Sequence, residues 1–173
     1  GCLGLYSDDN ERALAPIIAS ARAFAPPGTL MGIQIGHAGR KASSQRPWEG
    51  GRANGPGQDP WPTVAPSPIP FDDGWPVPTP FDEAYLAHIR EAFVAAALRA
   101  RRIGFDWIEL HMAHGYLMHS IMSPVSNRRE DARGGDLAGR LSFPLEVARA
   151  VRVAVPDRAV GARITGSDWT PEG

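Results

Sequence analysis

An α/β fold, a parallel sheet wrapped by its own helices, is predicted by three observations on this 173-residue chain. Apolar runs of strand length alternate with longer stretches whose apolar residues recur at helical spacing. Each predicted strand divides into an apolar face and a face carrying polar side chains. Those polar side chains gather toward the C-terminal strand ends, where α/β barrels and open α/β sheets build their ligand sites.

Taken in order, Ser7 suits an N-cap, with Asp8 and Asp9 in the first turn near the positive end of the helix dipole. Leu14, Ile17, Ile18, Ala21 and Phe24 then recur at helical spacing, and Pro26-Pro27-Gly28 stops the helix. Residues 30–35 read as a strand. Across residues 40–80 regular structure is not expected, because ten of the 17 prolines and three of the five tryptophans fall there. A second helix is predicted over 82–102, with Tyr85, Ile89, Phe93, Ala96, Ala97 and Ala100 inward and Gly104 ending it. Residues 105–111 form the next strand. After an irregular polar segment a third helix starts near Ser142, with Pro144 in its first turn and Leu145, Ala148, Val151 and Val155 inward, and stops at Pro156-Asp157. Residues 159–165 are the last strand.

A complete (β/α)8 barrel takes about 250 residues, so the length predicts a partial TIM barrel, from about the second helix to the fifth strand. The chain opens on Gly1 and runs from its last strand straight into Asp168-Trp169-Thr170-Pro171-Glu172-Gly173. It therefore reads as a fragment, residues 1–173, of a single domain with a long Pro/Trp-rich βα loop at 40–80. Composition narrows the partners: 43% hydrophobic and 21% charged residues with a net charge of -1 favour neither nucleic acid nor a membrane. Cys2 is the only cysteine, which excludes an internal disulfide and a Cys-based metal site and reads as an inert thiol. The longest apolar run, residues 92–98, falls far short of the about 20 residues that span a bilayer, and no signal-peptide pattern opens the chain. A cytoplasmic location is expected.

The strand faces carry the functional reading. Ile33 and Ile35 oppose Gly32, Gln34 and Gly36; Ile108 and Leu110 oppose Trp107, Glu109 and His111; Val160, Ala162 and Ile164 oppose Gly161, Arg163 and Thr165. The apolar faces suit burial against helices. Barrel interiors are normally filled by bulky branched residues, and a polar group buried without a partner costs a few kcal/mol. Gln34, Glu109, His111 and Arg163 together therefore predict a bound polar ligand. Taken singly, Gln34 also suits an amide satisfied by backbone, and Arg163 an ion pair with Glu109.

His111-Met112-Ala113-His114-Gly115-Tyr116 places two imidazoles and a phenol directly after a strand, a grouping that grips an anionic oxygen and supplies a proton beside it. Glu109, His111 and His114 also match the ligand types of zinc or non-haem iron, which keeps a metal-dependent barrel hydrolase as a second reading. Against it, no other His or Cys stands at a ligand-like spacing, and a dication has no use for Gln34 or Arg163, so no metal is expected. Two histidines bonded to a loop backbone are the structural alternative. His37 and His119 read as structural, and His88 as lying on a solvated helix face. The 40–80 loop far exceeds the usual βα connection of about 2–6 residues, and Trp48, Trp61 and Trp75 suit a partly ordered cover over the site. Arg128, Arg129 and Arg133, alternating with Glu130 and Asp131, read as a solvated loop surface. Gly36-His37-Ala38-Gly39-Arg40-Lys41 lacks the glycine spacing of a P-loop and carries no nucleotide inference.

These motifs resemble the old yellow enzyme family of FMN-dependent ene-reductases, most closely its bacterial, xenobiotic reductase-like branch. Gly32-Ile33-Gln34-Ile35-Gly36-His37-Ala38-Gly39-Arg40-Lys41 is similar to the family's third-strand motif, His111 through Tyr116 to its substrate motif, and Ser123-Pro124-Val125-Ser126-Asn127-Arg128-Arg129 with Gly134-Gly135 to the loop that follows. The resemblance implies an FMN-binding TIM barrel, here an internal fragment, with NAD(P)H as reductant. It implies that Gln34 hydrogen-bonds the flavin ring, that Arg163 lies by its N1/C2 carbonyl edge, that His111 and His114 hold the oxygen of an enone or nitro substrate, and that Tyr116 donates the proton. It leaves room for a homo-oligomer.

The chemistry agrees with this: hydride delivery to an activated alkene puts charge on the substrate oxygen, and losing one donor to such a charge typically costs about 2.7–4 kcal/mol. A phenol is protonated at neutral pH and ready as an acid. Where the family usually carries Tyr before the paired glycines and Asn before the later Arg, this chain has Arg133 and Gly139. The early strands and the phosphate-binding loops fall outside the resemblance, so the 173 residues alone are expected neither to hold FMN nor to turn over. A non-catalytic truncated chain is the third reading.

Overall fold

The computed structural model describes residues 3–173; Cys2, with its expected inert thiol, lies outside them. In chain order it contains α1 (Asp8–Phe24), β1 (Gly32–Ile35), β2 (Val64–Ala65), β3 (Thr79–Pro80), α2 (Glu83–Arg102), β4 (Trp107–Met112), α3 (Leu117–Met122), α4 (Leu137–Ala154) and β5 (Ala159–Ile164), with 3-10 turns at Gly39–Lys41 and Pro47–Glu49. β1, β4 and β5 form one sheet with β4 in the middle. β1 and β4 run parallel, with Gln34 opposite Glu109 and Ile35 opposite Leu110. The alternation of helices with a parallel sheet is the predicted one. The described residues form two compact units, the first comprising those up to Ile35 with Ala87–Leu110 and Glu146–Ala162, the second Gly36–Leu86, His111–Leu145 and Arg163–Gly173.

In the first unit Ser7 caps α1 as expected, its side chain accepting from the Asn10 N–H at 3.2 Å. Ser7→Ala should cost about 1 kcal/mol, read as faster amide exchange in the first turn; unchanged exchange would count against the cap. The apolar stripe read along α1 is not covered: none of its residues is buried, and Ile17 and Phe24 are exposed. No described element covers that stripe, and the helix is tied by its polar side instead, through Asp8 to Arg99 and Glu11 to Arg102. α2 keeps its predicted stripe in Ile89, Phe93, Ala97 and Ala100, while Tyr85 and Ala96 are half-buried. Ile108 and Leu110 are buried while Trp107 is exposed, the period of two read from the sequence. On β5 the expectation fails: Val160 is half-buried and Ala162 and Ile164 are exposed, because this strand lies at the sheet edge and no described element covers its apolar face.

α4 begins five residues before Ser142, because the Asp136 carboxylate accepts from the Gly139 N–H at 2.8 Å and caps the helix there. Pro144 thus lies inside the helix rather than in its first turn. The buried stripe is Phe143, Val147, Val151 and Val155, not one through Leu145, which is 43% exposed. Two residues from Phe143 is about 200° around the helix axis, the opposite side.

In the second unit α3 fills part of the segment read as irregular, burying Leu117, Met118, His119, Ser120 and Ile121. Its end is closed by side chains of the Ser123–Asn127 stretch: Ser126 Oγ donates to Ser120 O and Asn127 Nδ2 to Ile121 O. The 40–80 loop is ordered by Arg40, whose guanidinium donates to the Ile69 and Pro70 carbonyls, and by the short parallel pair β2 and β3. Its tryptophans order it less than expected: Trp48 and Trp61 are exposed, Trp48 with the Arg46 guanidinium over its ring at 5.8 Å, while Trp75 packs edge-on to Phe71 at 5.0 Å. The basic loop residues are not a plain solvated surface. Arg129 donates to Phe81 O and pairs with Asp131, and Arg133 pairs with Glu83, both guanidiniums being largely buried.

Candidate active site

The turn after β4 is the centre of the second unit's chemistry. His111, at 6% exposure, lies in the buried C-terminal part of β4, next to the buried Met112; His114 stands exposed, and Tyr116 is half-buried at the N-cap of α3. The His111 ring lies 5.0 Å from that of His114, at 73°, and 4.7 Å from that of Tyr116. Two imidazoles and a phenol therefore share one small surface, as their spacing predicted.

That grouping depends on an unusual backbone. His114 and Gly115 take positive φ in succession, +59° and +72°. Glycine adopts this region freely, whereas for histidine it costs about 1–2 kcal/mol. The cost is offset by side chains that pin the turn: the His114 N–H donates to Thr165 Oγ1 at 3.0 Å, Lys41 Nζ donates to His114 O at 2.7 Å, and the Gly115 N–H donates to His119 Nδ1 at 2.6 Å. Leu117 N–H donates to His37 O at 2.9 Å. A Cβ on Gly39 would meet Leu117 backbone atoms at 3.0 Å, so the glycine of the third-strand motif is what lets the two segments approach.

Behind the turn, His119 Nε2 lies 3.0 Å from Asp168 Oδ1, and Asp168 Oδ2 accepts from Ser123 Oγ at 2.6 Å. Burial pushes the His119 imidazole below its ordinary pKa, against the Asp168 charge that raises it. Burial, and then the neighbouring Arg40, likewise lower that of Lys41. His37 accepts from the Gly39 N–H, and His88 is exposed on its helix.

The remaining sequence-derived candidates lie elsewhere on the strands. Arg163, in the second unit, is exposed on β5. Gln34, in the first, is exposed on β1, and its amide donates to the Glu109 carboxylate rather than to backbone. Sequence reasoning passed over Lys41, Thr165 and Asp168 as parts of the site. Thr165 carried a signal in sharing the predicted polar strand face with Arg163, and Lys41 one in closing the motif that begins at Gly32. Among the described residues no three His, Cys, Asp or Glu side chains gather as a metal ion needs, and no helix is long and apolar enough to cross a membrane.

The NADH:flavin oxidoreductase / NADH oxidase family model matches residues 1–173. The chain belongs to that family. Relatives include an NADPH dehydrogenase of Geobacillus thermodenitrificans, 37% identical over 171 residues, covering 99% of this chain and 45% of the relative. An NADPH dehydrogenase of Bacillus velezensis is 39% identical over 171 residues with the same two coverages. Among solved structures, a morphinone reductase superposes with a TM-score of 0.73 at 30% identity, covering 93% of this chain and 44% of that one. The chain thus spans less than half the length of these relatives, and its order of helices and parallel strands is that of part of a TIM barrel.

The family implies FMN and NAD(P)H. On exposed strand positions, Gln34 offers an amide that both donates and accepts, and Arg163 a fork of donors. Carbonyls and ring nitrogens at the edge of a planar heterocycle are matched by such groups.

Proposed function

We propose that the 173 residues are the substrate-binding middle of a single FMN-binding barrel domain. Its complete form takes hydride from NAD(P)H and delivers it by way of FMN to the C=C bond of an α,β-unsaturated carbonyl or nitro compound. The observation that carries this reading is the packing of His111, His114 and Tyr116 on one pinned turn. When bound, FMN supplies the hydride chemistry; the protein supplies position and charge. Gln34 and Arg163 would hold the flavin ring. His111 and His114 donate to the substrate oxygen as charge builds on it, and Tyr116 Oη delivers the proton to the substrate carbon.

A pinned turn suits this work, because donors already fixed where charge develops need no reorganisation during reaction. The test follows the two half-reactions separately in the FMN-loaded protein at the length of its relatives. His114→Ala removes the more exposed donor, and one hydrogen bond to a charged oxygen is worth about 1.5–3 kcal/mol. Reoxidation by an enone should slow about 10- to 100-fold while reduction by NAD(P)H keeps its rate. Equal slowing of both would sink the substrate-site reading.

A further inference from the structure

We propose that His119, set between the Gly115 amide and the Asp168 carboxylate, is a positioning residue that holds the His114–Tyr116 turn in its working shape only while its ring is neutral. Its relevance to catalysis rests on the substrate-site reading above. The geometry fixes the tautomer. A backbone N–H can only donate, so Nδ1, which receives the Gly115 N–H at 2.6 Å, must carry a lone pair. The ring proton is then on Nε2, where it faces Asp168 Oδ1 at 3.0 Å. Asp168 is fixed in turn by Ser123 Oγ on its other oxygen. A chain of contacts thus runs from Ser123, at the end of α3, through Asp168 and His119 to the amide between the two candidate donors His114 and Tyr116.

Protonation reverses the sense of one link. A proton on Nδ1 would set donor against donor at Gly115, and the turn would lose a bond that helps keep both Gly115 and His114 at positive φ. The charged groups facing His119 are Asp168, Lys41 and Arg40. Burial is the largest influence and favours the neutral ring, Asp168 opposes it, and the two cations assist it. The folded-state pKa is therefore depressed below the ordinary value of about 6.5. The neutral ring's contribution is full above that value and is lost as pH falls from it toward the folded pKa. Asp168→Asn removes the one influence that raises it, so the acid limb should move to lower pH.

Two measurements test this. In the 15N-labelled chain, imidazole nitrogen shifts should show an unprotonated Nδ1 at neutral pH, and the Gly115 amide resonance should move with the His119 titration as pH falls from about 8 to about 5. In the FMN-loaded protein, His119→Leu should slow reoxidation by an enone up to about 100-fold, as a displaced site does, with reduction by NAD(P)H unchanged. His119→Asn keeps an acceptor near the Nδ1 position that cannot titrate, and should restore most of the rate and flatten the acid limb.

A protonated Nδ1 at neutral pH, a Gly115 resonance that ignores the His119 titration, or equal slowing of both half-reactions by His119→Leu would each overturn the proposal. Failure of the substrate-site reading looks different: His114→Ala would then leave enone reduction intact while the Gly115 amide still followed His119.

Discussion

On the proposed function, Tyr116→Phe in the FMN-loaded protein at the length of its relatives is expected to slow alkene reduction by about 10²–10⁴-fold, the range for removal of a positioned general acid, and to leave flavin reduction by NAD(P)H unchanged. The substitution is clean because what holds Tyr116 in place is not its hydroxyl. Its ring packs against His111 at 4.7 Å, its backbone N–H donates to Ala113 O at 3.1 Å, and its carbonyl accepts from the Ser120 N–H at 2.8 Å. All three contacts survive in phenylalanine, so the loss reports the proton rather than the position. Stopped-flow traces of the two half-reactions, with the deuterium content of the product, decide the matter. If the variant reduces the alkene at the parent rate, or loses both half-reactions together, Tyr116 is not the acid.

The parts of this fold that could be read from the sequence are those with a clean period. Ile108 and Leu110 against Trp107 and Glu109, and Ile89, Phe93, Ala97 and Ala100 along α2, show it because one face of each element is buried. α3 was hidden because six residues hold less than two helical turns, too few for a periodic signal. The first turn of α4 is not legible because Gly139 and Pro144 argue against a helix locally, whereas the Asp136 cap and the burial of Phe143 favour one. α1 and β5 show the converse: an apolar stripe in the sequence does not say what covers it.

The candidate site divides in the same way. His111, His114 and Tyr116 were legible because they lie within six residues of one another on a single turn. The groups that hold them were not. Lys41 reaches His114 across 73 positions of sequence and Thr165 across 51, and only the folded chain brings them together. Arg129 and Arg133 misled for a related reason: alternating charges suggest a solvated loop, but their partners Phe81 and Glu83 lie about fifty residues earlier.

The second large effect concerns Phe143, which lies under Arg133, a position where this chain departs from the usual old yellow enzyme loop. The ring is 1% exposed, and the Arg133 guanidinium, standing where the family usually has tyrosine, lies over it at 6.0 Å. Arg133 is held there by two contacts with Glu83, at 2.8 and 2.9 Å, and by Ser142 Oγ at 3.3 Å. A guanidinium stacks on an aromatic face and covers apolar surface with its stem, so it can replace a packed tyrosine ring. Phe143→Ala should cost about 3–5 kcal/mol, the transfer of the ring plus the cavity it leaves. Arg133→Met keeps the stem and removes a pair whose Glu83 partner is mostly exposed, which is worth at most about 1 kcal/mol. In urea unfolding the first should move the midpoint several times further than the second. Comparable shifts would mean that the ion pair, not the ring, carries the stability of this loop, and that the arginine is more than a cover for Phe143.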